Sequence, residues 1–164
     1  MGPADLKALV WSGGEGRRIR SPAEFDEWVS MRTAEELADP FTFVIDTTGV
    51  LRLAPRRSEH VVCAGGGEVL SAGEMGFCEE SGRWKVDEVS NLSTGYCPDV
   101  RSWPSVADAL DSARIARPSG FTHEILFRRC VVCHQLNIVR EGDFVCVFCE
   151  AELPLEWNVD GSTP

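Results

Sequence analysis

The spacing of apolar and polar positions changes period several times along this chain, and each change predicts an element. Over residues 21–39 the spacing is helical: Phe25, Trp28, Val29 and Arg32 recur at intervals of three and four, so one face buries aromatics. Ser21-Pro22-Ala23-Glu24 offers an N-cap hydroxyl, a proline for the first turn and a glutamate three residues after the cap. Thr33-Ala34-Glu35-Glu36 repeats this box before Asp39-Pro40 ends the helix. From Phe41 the period becomes strand-like. Residues 41–45 and 50–53 flank Asp46-Thr47-Thr48-Gly49 and predict a hairpin. Residues 60–63, 69–78 and 84–89 read as further strands, for an antiparallel sheet of about five strands. Gly65-Gly66-Gly67, Gly73 and Gly76 let that sheet bend. A second helix is predicted over residues 104–115, with Val106, Ala109 and Leu110 inward and Pro118-Ser119-Gly120 stopping it. Residues 122–127 then form a strand that leads into a cysteine-bearing segment.

That segment carries Cys130-Val-Val-Cys133 and Cys146-Val-Phe-Cys149. Two residues between paired cysteines let one tight turn present both sulfurs to a single ion, and two such turns complete a tetrahedron. The expected cofactor is Zn²⁺, with Cys130, Cys133, Cys146 and Cys149 as ligands and no corner left for water or substrate. The spacer reads as a hairpin, with residues 135–140 climbing, Glu141-Gly142-Asp143 turning and residues 144–147 descending. The fold class is therefore α+β: a bent antiparallel sheet with two helices plus a C-terminal zinc ribbon. Residues 1–20, with Ser12-Gly13-Gly14-Glu15-Gly16, read as a flexible N-terminal segment, residues 21–121 as the α+β body, and residues 122–164 as the ribbon and tail.

Composition narrows the function. A chain of 164 residues, 43% hydrophobic and 26% charged, can bury roughly 70% of its unfolded surface and does not depend on a metal alone for its core. No apolar run reaches the length of a membrane span, and residues 1–10 lack the apolar core of a signal peptide, so a cytoplasmic address is expected. Seven cysteines then read as metal ligands and buried thiols rather than disulfides. A net charge of −10 disfavours a generic polyanion binder. The ribbon shares that bias: Arg128, Arg129 and Arg140 stand against Glu124, Glu141, Asp143 and Glu150. Arg17, Arg18 and Arg20, like Arg52, Arg56 and Arg57, read as solvated surface.

The paired cysteines, with Asn137 four residues after Cys133, resemble the short zinc fingers that bind ubiquitin or single-stranded RNA. The resemblance covers about twenty residues of the chain and is one of motif alone. It departs at Arg128, where those fingers carry Trp, in a longer gap from Asn to the next cysteine, and at His134-Gln135, where the ubiquitin binders use Thr-Phe. As a whole the chain also resembles bacterial proteins of unassigned function.

Three functions are weighed. The first is a zinc-stabilised intracellular protein-interaction module without catalytic activity, presenting Leu136, Ile138, Phe144, Phe148 and Trp157 to a protein partner. Nucleic-acid binding through Arg128, Arg129 and Arg140 is the second. The third is a cysteine-dependent hydrolase or transferase using Cys97, with His60 or His123 as base. A second metal site from His60, Cys63, Cys78 and Cys97 is conceivable, because His60 and Cys63 have knuckle spacing. Glu68, Glu74, Glu79, Glu80, Asp87 and Glu88 read as the wet face of the sheet, and Gly65-Gly66-Gly67 as a bend rather than a phosphate cradle.

Overall fold

The computed structural model describes residues 15–159. Of the segment expected to be flexible, residues 1–14 lie outside that range. Its end is ordered: β1 (Arg17–Ile19) is the edge strand of the sheet, so the body starts before Ser21. Helix α1 (Pro22–Ser30) begins where the capping pattern predicts, with Ser21 Oγ accepting from the Glu24 amide at 3.2 Å. The second box is complete at Thr33 and starts a separate single turn, α2 (Ala34–Leu37). The sheet continues with β2 (Phe41–Asp46) and β3 (Leu51–Ala54), then β4 (Val69–Glu80) and β5 (Arg83–Val89), all antiparallel in the order β1-β3-β2-β4-β5.

The expected number of strands is right, but one member differs. His60-Val61-Val62-Cys63 is a helical turn, α3 (His60–Cys63), and β1 takes the fifth place. Two β-branched residues favour a strand, yet only Cys63 of this turn faces the interior, while Val61 and Val62 stay exposed. Gly65 and Gly66, both with φ > 0, then turn the chain into β4.

Alternation along β2 explains why all six of its residues are buried. Phe41, Phe43 and Ile45 face α1 and α4 (Trp103–Ser112), in a core with Trp28, Met75, Phe77, Val106 and Leu110. Val44 faces the other way, onto Ala54, Ala72, Cys63 and Ala64 of the α3 side. Trp28 packs edge-on against Phe41 with ring centres 4.8 Å apart, and the Arg32 guanidinium lies over the Trp28 ring at 5.3 Å. Register shifts at Ile45/Asp46 and Gly76/Phe77 bend the sheet. At Gly73 a Cβ would overlap the Ser90 carbonyl, so only glycine lets the chain cross there. Glu68, Glu79, Glu80, Asp87 and Glu88 are exposed and Glu74 half-buried, as a wet face requires.

The chain leaves the body through Thr122, whose amide donates to the Val89 carbonyl at 2.8 Å. Fully buried Asn91 accepts from the Ile125 amide at 2.7 Å and donates to the Ile125 and Pro98 carbonyls. Beyond this point β6 (Leu126–Arg129) and β7 (Leu136–Val139) form a separate two-stranded sheet. The pairing corrects the expected hairpin. β7 pairs with β6, the strand that enters the first cysteine pair, and residues 144–147 form no strand. The physical reason is that the Cys130–Cys133 turn itself reverses the chain: the Cys130 amide donates to the Gln135 carbonyl at 2.9 Å and zips the two flanks together. The Glu141-Gly142-Asp143 turn is present, closed by the Asp143 amide on the Arg140 carbonyl at 2.9 Å.

Candidate metal centre

Two turns of nearly the same construction face each other. In the first, the Cys130 amide donates to Gln135 and the His134 amide returns to the Cys130 carbonyl at 2.9 Å. In the second, the Cys146 amide donates to Ala151 at 2.8 Å and the Glu150 amide returns to the Cys146 carbonyl at 2.9 Å. His134 and Glu150 hold equivalent positions with φ of 65° and 66°, the left-handed residue each turn needs to close. Amides inside the turns point at sulfur: Val132 and Cys133 donate to Cys130 Sγ, and Phe148 donates to Cys146 Sγ, each at 3.4 Å.

The result is one compact cluster. The four sulfurs of Cys130, Cys133, Cys146 and Cys149 lie within 4.8 Å of one another, the Cys130–Cys149 and Cys133–Cys146 contacts being 3.5 and 3.6 Å. A tetrahedral zinc site with Zn–S bonds near 2.3 Å has sulfur–sulfur edges of about 3.8 Å, whereas a disulfide needs about 2 Å. The geometry therefore fits shared coordination of one ion and not cross-linking, and the cluster is compatible with a zinc-binding module. Leu126, Val139, Phe144, Ala151 and Leu153 pack against Cys130, Cys133 and Cys146, while Cys149 is exposed at the outer side of the cluster.

Electrostatics divide the four thiols, lowering Cys130 and Cys146 and raising Cys133 and Cys149. Burial opposes ionisation of the Cys146 thiol, but the Cys149 amide, the Asn137 amide group and the Phe148 amide outweigh it and bring the thiol down to about 6. The Cys133 amide chiefly lowers Cys130 as well. Cys133 accepts from the Gln135 amide, which favours its thiolate. Burial and the neighbouring sulfurs nevertheless push it up to about 12. Four adjacent thiolates repel, and a divalent cation bound among them would let all four deprotonate together.

Asn137 proves to be more than a motif marker. It is buried, its Oδ1 accepts from the Val147 amide at 2.9 Å, and its Nδ2 donates to Cys146 Sγ at 3.4 Å. One side chain thus ties β7 to the second turn and orients a sulfur of the cluster. A polar residue set between Leu136 and Ile138, four residues after Cys133, was the available signal for this role. Arg128 is likewise buried. It donates to the Pro154 and Leu155 carbonyls at 3.0 and 2.8 Å and lies over the Phe144 ring at 5.6 Å. It is a clamp on the C-terminal segment and cannot meet a phosphate, which removes one of the three arginines counted toward nucleic-acid binding.

The other candidates are dispersed. Leu136, Ile138 and Trp157 are half-buried against Phe127, Cys97 and Val159, and Trp157 Nε1 donates to the Cys97 carbonyl at 2.9 Å. Phe144 packs beside the sulfur cluster, and only Phe148 of the five apolar candidates stands in solvent. His60, Cys63, Cys78 and Cys97 do not converge: among the described residues Cys130, Cys133, Cys146 and Cys149 are the one metal-capable group. His60 Nε2 bonds to the Gly73 carbonyl at 2.8 Å, and burial drives the Cys63 thiol up to about 12. Cys97 is buried, with its thiol 3.4 Å from the Thr94 carbonyl, and burial raises it to about 11 against the weaker pull of Arg129. A nucleophile needs the opposite environment. His123 bonds to Thr122 at 3.0 Å instead.

No helix among the described residues is long and apolar enough to cross a membrane. The chain matches no protein-family model, no curated protein and no solved structure.

Proposed function

We propose that the four cysteines hold a structural Zn²⁺ and that the module they close is a docking surface for a protein partner. One observation carries this reading. Val131, Val132, Val147 and Phe148, the residues between the paired cysteines, are between 62% and 75% exposed, at the tips of the two turns that the sulfur cluster pins together. Large apolar side chains held in solvent by a rigid support are a recurring mark of interaction sites. The ion, bonded to four sulfurs, would supply folding free energy rather than chemistry. It would fix the tips before a partner arrives and so reduce the ordering cost of binding. Leu155 adds to the exposed apolar surface, and the exposed carboxylates of Glu141, Asp143, Glu150, Glu152 and Glu156 make the module acidic. That charge favours a partner whose apolar anchor is flanked by basic residues.

The test is a capture experiment with three baits: wild type, Phe148→Asp/Val132→Asp, and Cys130→Ser/Cys133→Ser. A partner identified by mass spectrometry is purified and titrated against each. The reading requires that the tip variant keep its zinc and lose at least about tenfold in affinity, in line with loss of an interface hot spot. Equal binding by the tip variant and wild type contradicts it. Binding of nucleic acid that weakens steeply with salt would favour the rival function instead.

A further inference from the structure

A cleft of about 750 Å³ lies where the body meets the C-terminal segment, within the roughly 300–1,000 Å³ range of ligand sites. The body supplies Val61 of α3, Leu70 of β4 and Tyr96, and the opposite wall is Trp157 with Val159. Val61 and Leu70 remain 43% and 45% exposed, so this concavity leaves large apolar groups wet. Tyr96 Oη donates to the Gly67 carbonyl and Trp157 Nε1 to the Cys97 carbonyl, which engages the polar end of each ring and leaves its apolar surface to line the cleft.

The cleft carries two carboxylates, Glu68 and Asp99, against one cation, Arg101. Arg101 is held by Asp99 at 2.8 Å, whereas Glu68 is exposed and makes no ion pair among the described residues. An unmatched carboxylate beside a tyrosine and a tryptophan favours an organic cation on an apolar stem, through ion pairing and attraction to the ring faces. The protein's net charge of −10 steers the same class of ligand toward it.

The far wall belongs to the metal-bearing module. From the second turn the chain runs back along β6: Arg128 holds the Pro154 and Leu155 carbonyls, and Asn158 exchanges two hydrogen bonds with the Arg129 backbone at 2.8 and 2.7 Å. Arg129 immediately precedes Cys130. The placement of Trp157 thus depends on a strand that ends one residue before Cys130.

We propose that this cleft binds a lysine or arginine side chain of a partner polypeptide, and that it is complete only while the four-sulfur site is closed. The second clause rests on the metal reading above; the first does not. The test uses the full chain and two fluorescein-labelled hexapeptides, one alternating leucine with lysine and one alternating leucine with glutamate, followed by fluorescence anisotropy at 150 mM salt, about physiological ionic strength. The lysine peptide is expected to saturate and the glutamate peptide not to. Glu68→Gln should weaken binding about fivefold and Trp157→Ala about tenfold or more, as expected for losing an ion pair and an aromatic anchor. Glu80→Gln, a control on the distant β4–β5 hairpin, should change it less than about twofold if net charge alone is not the cause. Because Trp157→Ala also loosens the module, Leu70→Lys on the body side, which sets a like charge against the ligand, serves as a second variant and should abolish binding of the lysine peptide only if the cleft is its site. Equal binding of both peptides, absence of saturation, or equal effects of Glu68→Gln and Glu80→Gln overturn the cleft assignment. Zinc is quantified in the same samples before and after chelation: unchanged affinity after verified removal overturns the coupling. A protein purified without metal sinks the functional reading while the Glu68 and Leu70 arms still decide the cleft.

Discussion

Asn137 offers the sharpest test of how the protein, rather than the ion alone, builds the site. Its amide donates to Cys146 Sγ at 3.4 Å while its oxygen holds the Val147 amide at 2.9 Å. A hydrogen bond to a charged sulfur is worth about 1.5–3 kcal/mol. Each 1.4 kcal/mol is about tenfold in affinity, so Asn137→Leu, close in shape, should weaken zinc binding about 10- to 100-fold, the usual range for losing a group that orients a ligand. Asn137→Asp separates the two roles. It keeps the acceptor for Val147, removes the donor to sulfur and sets a carboxylate against a thiolate, so it should be weaker than the leucine variant. Competition against a chromophoric zinc chelator at pH 7 reads both constants, and amide exchange over residues 122–157 reports the accompanying loosening. Affinities within twofold of wild type for both variants would refute the assigned role, as would an aspartate variant stronger than the leucine one.

Four other outcomes follow from the same contacts. Trp28→Ala removes the centre of the aromatic cluster and should cost about 3–5 kcal/mol in urea unfolding, while leaving the zinc content unchanged. Arg128→Leu leaves the Pro154 and Leu155 carbonyls without their donor and should speed amide exchange over residues 153–159 without altering α1 or α4. Iodoacetamide at pH 8 should label Cys97 more slowly than a free thiol, because burial raises it to about 11; faster labelling would revive the enzyme reading. The same shift predicts a pH dependence. A thiol whose folded value lies above its unfolded value of about 8.5 stabilises the fold fully below that pH and loses the contribution as pH climbs toward 11, so Cys97→Ala should flatten the alkaline fall in stability.

What could be read from the sequence divides along physical lines. Features set by neighbours in the chain were legible: the Ser21 cap and apolar stripe of α1, the β2–β3 hairpin and the two cysteine-paired turns each follow from spacing alone. Features that depend on which distant surface a residue meets were not. His60–Cys63 carries strand-forming valines, but burying Cys63 against β2 and β3 overrides propensity and winds a helical turn. β1 gave no apolar alternation to read in its three residues, since only Ile19 is buried. The spacing within each cysteine pair specifies a turn without saying whether the strand leaving it pairs backward or forward. The Cys130–Gln135 bond decides that. Arg128 looked like a surface cation because its carbonyl partners lie 26 and 27 residues away. Most of the apolar side chains expected to face a partner instead fasten the module to the body, and the exposed surface falls on the residues between the cysteines.

The central claim is that four sulfurs close on one zinc ion. X-ray absorption at the zinc edge on freshly purified protein, with metal quantified per chain, tests it most directly. The account predicts one zinc per chain with a first shell of sulfur alone at about 2.3 Å. A substoichiometric metal content, or oxygen or nitrogen scatterers at about 2.0 Å in that shell, would contradict it.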